Sequence, residues 1–107
     1  MSIPKRYLKF GEDYPEILNA YETLGEAVQN SGPLEKKTKA LIKLSISIGA
    51  KMEGAVHSHT RKAIEAGCSE EEIKQTVLLS LPTLGFPSMM AAMTWVEDVF
   101  EKQKDKK

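Results

Sequence analysis

Ile42-Lys43-Leu44-Ser45-Ile46-Ser47-Ile48 alternates apolar and polar residues with the period of a β-strand. Its lead-in, Pro33-Leu34-Glu35 and the residues from Lys36, reads as the opening of a helix. An isolated strand cannot satisfy its own backbone groups, and no partner strand is evident elsewhere in the sequence. Helix is therefore the expectation for Lys36 to Ala50. Such a helix is apolar on several sides with only small serines between, which suits a central element packed by neighbours all round.

Working outward, residues 1–12 are polar and mixed and read as an arm. Asp13-Tyr14-Pro15-Glu16 follows, with Asp13 as helix cap, Pro15 in the first turn and Glu16 completing a capping box. Ile17, Leu18, Tyr21, Leu24 and Val28 recur at helical spacing, and Asn30-Ser31-Gly32-Pro33 ends that helix. On the other side, Met52, Ala55, Val56, His59, Ala63 and Ala66 share one arc of a helix that Gly67 closes. Ser69 with Glu72 forms the next capping box, and Ile73, Val77, Leu78 and Leu81 give the following helix its buried face. Pro82 and Gly85-Phe86-Pro87 break it. A last helix starts near Pro87 or Ser88, burying Met89, Ala92, Met93, Val96 and Phe100 and turning Glu97, Asp98 and Glu101 to water. The expectation is an all-α, single-domain helical bundle of about five helices over 1–107: an arm at 1–12, a helical core at 13–101 and a solvated tail at 102–107.

Composition narrows the function classes. Fifteen Lys and Arg balance fifteen Asp and Glu in 107 residues, which does not suit nucleic acid or an anionic membrane. No apolar run approaches a membrane span and Met1-Ser2-Ile3-Pro4-Lys5-Arg6 has no signal-like core, so a cytoplasmic protein is expected. A chain this short buries a modest fraction of its surface, so self-association would add useful core. One cysteine, Cys68, excludes an internal disulfide and a Cys-x-x-Cys redox pair within one chain.

Chemistry near neutral pH then passes through the two histidines, His57 and His59. Two apart on a helix, they diverge by about 200° and cannot grip one metal ion together. Neither a metal nor a cofactor is expected. Glu53, His57 and Arg61 follow at four-residue steps, where neighbours touch; this row is either an ordinary surface charge row or part of a site. His59 on an otherwise apolar arc is either a core histidine or a general acid or base tuned by its surroundings. Cys68, between Gly67 and the cap Ser69, stands where a helix start lowers a thiol pKa in principle, but with no second thiol to resolve an oxidised one, a small residue in a tight interhelical turn is the favoured reading.

The run His59-x3-Ala63-x3-Gly67-x-Ser69-x-Glu71-Glu72-Ile73, with Leu84-Gly85-Phe86-Pro87 and Met90-Ala91-Ala92, resembles the carboxymuconolactone decarboxylase and alkyl hydroperoxidase D superfamily over about residues 35–100. The resemblance implies an all-α, alkyl hydroperoxidase D-like fold whose chains form dimers, trimers or hexamers, with a pocket beside the histidine helix. The superfamily's peroxidase branch carries Cys-x-x-Cys-x-x-x-His and an upstream glutamate. Anchored on His59, the two cysteines fall at Met52 and Ala55 and the glutamate near Ala40, so the residues do not support peroxiredoxin-type chemistry. The decarboxylase branch lacks that pair. It implies a lyase acting on a small carboxylated molecule, with His59 as proton carrier, Glu53 or His57 orienting it, and Lys43, Lys51 or Arg61 as the cation. Beside this enzyme reading stands a non-catalytic oligomeric or small-molecule-binding protein of the same fold, and behind both a weak hydroperoxidase role through Cys68.

Overall fold

The computed structural model describes residues 3–105, and among them there is no strand. Seven helices follow one another: α1 Lys5–Asp13, α2 Pro15–Gln29, α3 Lys36–Gly49, α4 Glu53–Glu65, α5 Glu70–Leu78, α6 Leu81–Leu84 and α7 Phe86–Asp105. The Ile42–Ile48 alternation lies wholly within α3. No helix among the described residues is long and apolar enough to cross a membrane. The chain divides into two compact units, one ending at Pro33 and the other beginning at Leu34.

The first unit is a hairpin of α1 and α2. Residues 5–13, expected as part of an arm, are helical, and Asp13 ends α1 instead of capping α2. Its carboxylate takes a hydrogen bond from Lys9 one turn back, at 3.0 Å, and the residue before α2 is Tyr14, which makes no side-chain cap. Tyr7 donates to Glu22 at 2.7 Å, and the Phe10 and Tyr14 rings meet with centroids 5.2 Å apart. Gly11 lets the two helices close up, since a Cβ there would sit 2.8 Å from Leu18 Cδ2. Neither helix buries a residue.

The second unit carries the core. Leu44 and Ile48 of α3, Val56 and Ala63 of α4, Ile73 and Val77 of α5, and Met89, Ala92, Val96 and Phe100 of α7 form one buried cluster. Each large side chain among them contributes about 1.5–3 kcal/mol by leaving water. The expected face of α7 is thereby present, with Met93 half-buried beside it. On α5 the expectation holds for Ile73 and Val77, whereas Leu78 and, just beyond the helix, Leu81 are exposed. Residues 102–105, expected as tail, continue α7 as its last turn; 106 and 107 lie outside the described residues.

Two turns fix α4, and they have the same geometry. At its end the Gly67 N–H reaches the Ile64 carbonyl at 3.0 Å and the Cys68 N–H reaches Ala63 at 3.0 Å, with Gly67 at φ 96°. At the end of α3 the Lys51 N–H reaches Ile48 at 3.0 Å and the Met52 N–H reaches Ser47 at 3.3 Å, with Lys51 at φ 58°. The left-handed position is filled by glycine in one turn and by lysine in the other. Ser69 then starts α5 with the expected reciprocal cap: Glu72 N–H donates to Ser69 Oγ at 3.0 Å and Ser69 N–H to Glu72 Oε1 at 2.8 Å. Lys37 Nζ stands 3.3 Å from the same carboxylate oxygen and ties α3 to the start of α5.

A Cβ disfavours the left-handed conformation by about 1–2 kcal/mol, part of which glycine's extra chain entropy offsets. Lys51→Gly is expected to raise unfolding stability by about 0.5–1 kcal/mol in urea melts. Gly67→Ala is expected to lower it by about 1 kcal/mol, from the backbone alone, since the added Cβ meets only Lys37 Cδ at an ordinary 4.0 Å.

Candidate functional site

The candidate residues stand on α4 because α4 is anchored so firmly. Val56, Thr60 and Ala63 are buried at four- and three-residue steps, and the Thr60 hydroxyl donates back to the Val56 carbonyl at 2.7 Å, so its polar group needs no outside partner. Helices α3 and α7 pack on α4. Two arcs of candidate residues flank this buried row.

Glu53 and His57 occupy one arc. The expected one-turn neighbours come together, with His57 Nε2 3.9 Å from Glu53 Oε2. This exceeds hydrogen-bond length. His57 Nε2 has no accessible surface and no hydrogen-bond partner, although a quarter of the side chain remains exposed. An enclosed ring nitrogen without a partner is costly, so this atom carries an unmet hydrogen-bonding demand.

His59 lies on the other arc, half-buried and not sealed. Burial lowers its pKa below the ordinary 6.5, and the ammonium groups of Lys62, one turn on, and of Lys43, across on α3, lower it further. The imidazole is therefore neutral at neutral pH and is flanked by positive charge. Of the cations the sequence offered, Lys43 is the one that acts on His59. Lys62 was missed, although its place three residues after His59 was the available signal.

Cys68 behaves differently from the sequence expectation. It is buried, its thiol faces the Lys37 carbonyl at 3.7 Å, and burial first and Glu72 second push its pKa up; Lys37 opposes this only in part. Desolvation outweighs the helix start at Ser69. Among the described residues no three of His, Cys, Asp and Glu gather where they could hold a metal ion.

A groove of about 660 Å³ opens between α3, α5 and α6, lined among others by Leu41, Ile42, Ser45, Gln75, Leu79 and Leu84. Leu41 and Ser45 each lie about 200° round α3 from Lys43, the lysine of that helix whose charge reaches His59. Sequence reading missed it. Its signal was the second apolar stripe, Leu41, Ile42 and Ile48, on a helix already recognised as apolar on several sides.

Residues 15–98 match the model of the carboxymuconolactone decarboxylase family. The chain is 25% identical to the 4-carboxymuconolactone decarboxylase of Acinetobacter baylyi over 92 residues, 86% of this chain and 67% of that protein. It is 34% identical to a nitrosuccinic acid decarboxylase of Metarhizium robertsii over 73 residues, 68% of this chain and 51% of that protein. The chain thus spans about half the length of that relative. In three dimensions it resembles the crystal structure of an apo carboxymuconolactone decarboxylase family protein from Legionella pneumophila, with a TM-score of 0.78 and 27% identity over 90% of this chain and 86% of that one.

A lowered imidazole pKa has a stability consequence of definite sign. Above pH 6.5 the group is neutral folded and unfolded, and contributes nothing; below it the unfolded chain takes up the proton first, so stability falls as the pH drops toward the folded pKa. Proton NMR is expected to place the His59 midpoint below 6.5, and His59→Gln to flatten the acid side of the stability profile.

Proposed function

The chain belongs to the carboxymuconolactone decarboxylase family, and from that premise we propose a cytoplasmic decarboxylase that acts on a small carboxylated molecule without cysteine, with His59 as its proton carrier. The single observation that carries the reading is the half-buried imidazole of His59, whose charged form is disfavoured by burial first and by the charges of Lys62 and Lys43 second. Buried thiols are poor nucleophiles, and Cys68 is one, which weighs against a thiol hydroperoxidase. A lone thiol is compatible with the reducing cytoplasm.

The chemistry needs a base and a cation more than it needs a cofactor. When a carboxylate leaves as carbon dioxide, the bonding electron pair stays on the carbon, spreads into an adjoining conjugated carbonyl, and is finally captured by one proton. His59 relays that proton. Burial and the two ammonium groups oppose its positive charge, so once protonated it is a willing donor. Lys43 and Lys62 offer their charge to the substrate carboxylate before reaction and to the delocalised anion during it. Glu53 and His57, paired at 3.9 Å in the first turns of α4, act as positioning residues for the helix that presents His59.

The groove between α3, α5 and α6 favours a second reading, a small-molecule-binding protein of the same family without turnover. The two differ in where a ligand perturbs the chain, at His59 or at Leu41 and Leu79.

Carbon dioxide release from 4-carboxymuconolactone, from nitrosuccinic acid and from a panel of small unsaturated carboxylic acids tests the proposal. His59→Gln is expected to lower kcat by about 10²- to 10⁴-fold, and Lys43→Met to raise KM more than it lowers kcat. Cys68→Ser is expected to leave turnover intact. Full turnover by His59→Gln sinks the proposal.

A further inference from the structure

The groove between α3, α5 and α6 has an apolar floor, two matching walls and very little charge. Its floor is Ile48, 2% exposed and part of the buried cluster, so the groove stands directly on the packed core. Thr38, Leu41, Ile42 and Ser45 line it from α3, and Glu72, Gln75, Thr76 and Leu79 line it from α5. Both sets run in the same steps of three, one and three residues, which is one stripe of each helix. Lys37, 3.3 Å from Glu72, pins the first turns of the two stripes at one end. The rims are apolar and open, Leu79 at 68% and Ile42 at 42% exposure. A volume of about 660 Å³ falls within the range of small-molecule sites, about 300–1,000 Å³.

The polar groups of this groove decide what it accepts. Glu72 is the one ionised side chain among its lining residues, and no lysine or arginine is among them. That carboxylate is already engaged by the Ser69 N–H at 2.8 Å and by Lys37 Nζ at 3.3 Å. A ligand carboxylate entering here meets a carboxylate and no lining cation, and a ligand ammonium meets a charge that is already balanced. The hydroxyls of Ser45, Thr76 and Ser80 donate to the carbonyls of Ile42, Glu72 and Val77 at 2.7, 2.9 and 2.6 Å, so toward the groove they are acceptors. Gln75 and Thr38 make no side-chain hydrogen bond among the described residues, and both stand toward the Glu72 end. The Gln75 amide brings two N–H donors and a carbonyl acceptor.

We propose that this groove binds an uncharged amphiphile, with an amide or alcohol head hydrogen-bonded at Gln75 and Thr38 and an apolar chain laid over Ile48 between Leu41, Leu79 and Leu84. Burial of the chain supplies the affinity, and the head supplies the selection, because a charged head would be taken from water without a partner. The ligand class is therefore different from the carboxylated molecule proposed at His59, where Lys43 and Lys62 supply positive charge. The inference rests on the small-molecule-binding reading of this groove and names its ligand; it does not depend on turnover at His59.

Three probes with one chain and different heads test it: octanamide, octanoate and octylammonium, titrated into the full chain at neutral pH and followed by methyl NMR. Octanamide is expected to shift Leu41, Ile42 and Leu79 and to bind at least about tenfold more tightly than either ion. Gly49→Leu places a side chain at the far end of the groove, where an added Cβ meets nothing within 4 Å. It is expected to weaken octanamide by about tenfold while helical circular dichroism persists. Gln75→Leu is expected to remove most of the preference for the amide. Octanoate or octylammonium binding there as tightly as octanamide overturns the ligand class and leaves the small-molecule-binding reading standing. Octanamide binding that Gly49→Leu leaves unchanged in a folded chain overturns the placement in the groove. If none of the three probes shifts these methyls, both the proposal and that reading fail.

Discussion

Packing of α4 into the core is the constraint on which the rest of the second unit depends. Val56, Thr60 and Ala63 go down into the cluster formed with Leu44, Ile48, Val96 and their neighbours, and every other position of α4 is then assigned to a flank. Once that row is buried, His59 must stand at one margin and His57 at the other. Their separation is therefore a consequence of helical geometry and core composition. Two imidazoles that are neighbours in the sequence act as independent groups.

Their surroundings differ because the elements packed beside α4 differ. His59 is half-buried, and the charges of Lys62 on its own helix and Lys43 on α3 reach it through surroundings that screen less than open water does. Desolvation and lysine charge act in the same direction on this group, both favouring the neutral ring. For Cys68 they oppose each other, and burial outweighs the lysine. The same two forces thus lower the imidazole pKa of His59 and raise the thiol pKa of Cys68.

Local rules were legible in the sequence where they were sufficient by themselves. The Ser69 and Glu72 cap and the Gly67 turn involve residues within a few positions, and the structure has both. The strand-like alternation of Ile42–Ile48 was settled by accounting for backbone hydrogen bonds, since a strand without a partner has nowhere to place them. Asp13 misled because its carboxylate had two local uses, capping α2 or pairing with Lys9 one turn back, and only the helicity of residues 5–13 decides between them. Leu78 and Leu81 misled for another reason. Apolar spacing states which side of a helix avoids water, and it does not state whether the cover comes from the same chain. For the candidate site, the sequence supplied His59, His57 and Glu53 and three rival cations. Choosing Lys43 and adding Lys62 required knowing which side of α3 meets α4.

The left-handed lysine at position 51 bears on how this arrangement is held. The turn between α3 and α4 has the hydrogen bonds of the glycine turn after α4, yet it places a side chain where a hydrogen would cost less. Packing on both sides over-determines the turn: Ile48 anchors it from α3 and Val56 from α4, both within the buried cluster, and the strain is carried by their burial. Lys51 also brings a charge two residues before the start of the histidine helix in the sequence. A glycine would relieve the backbone and remove that charge. The turn thus keeps a backbone conformation that glycine adopts at lower cost, held in place by burial on either side.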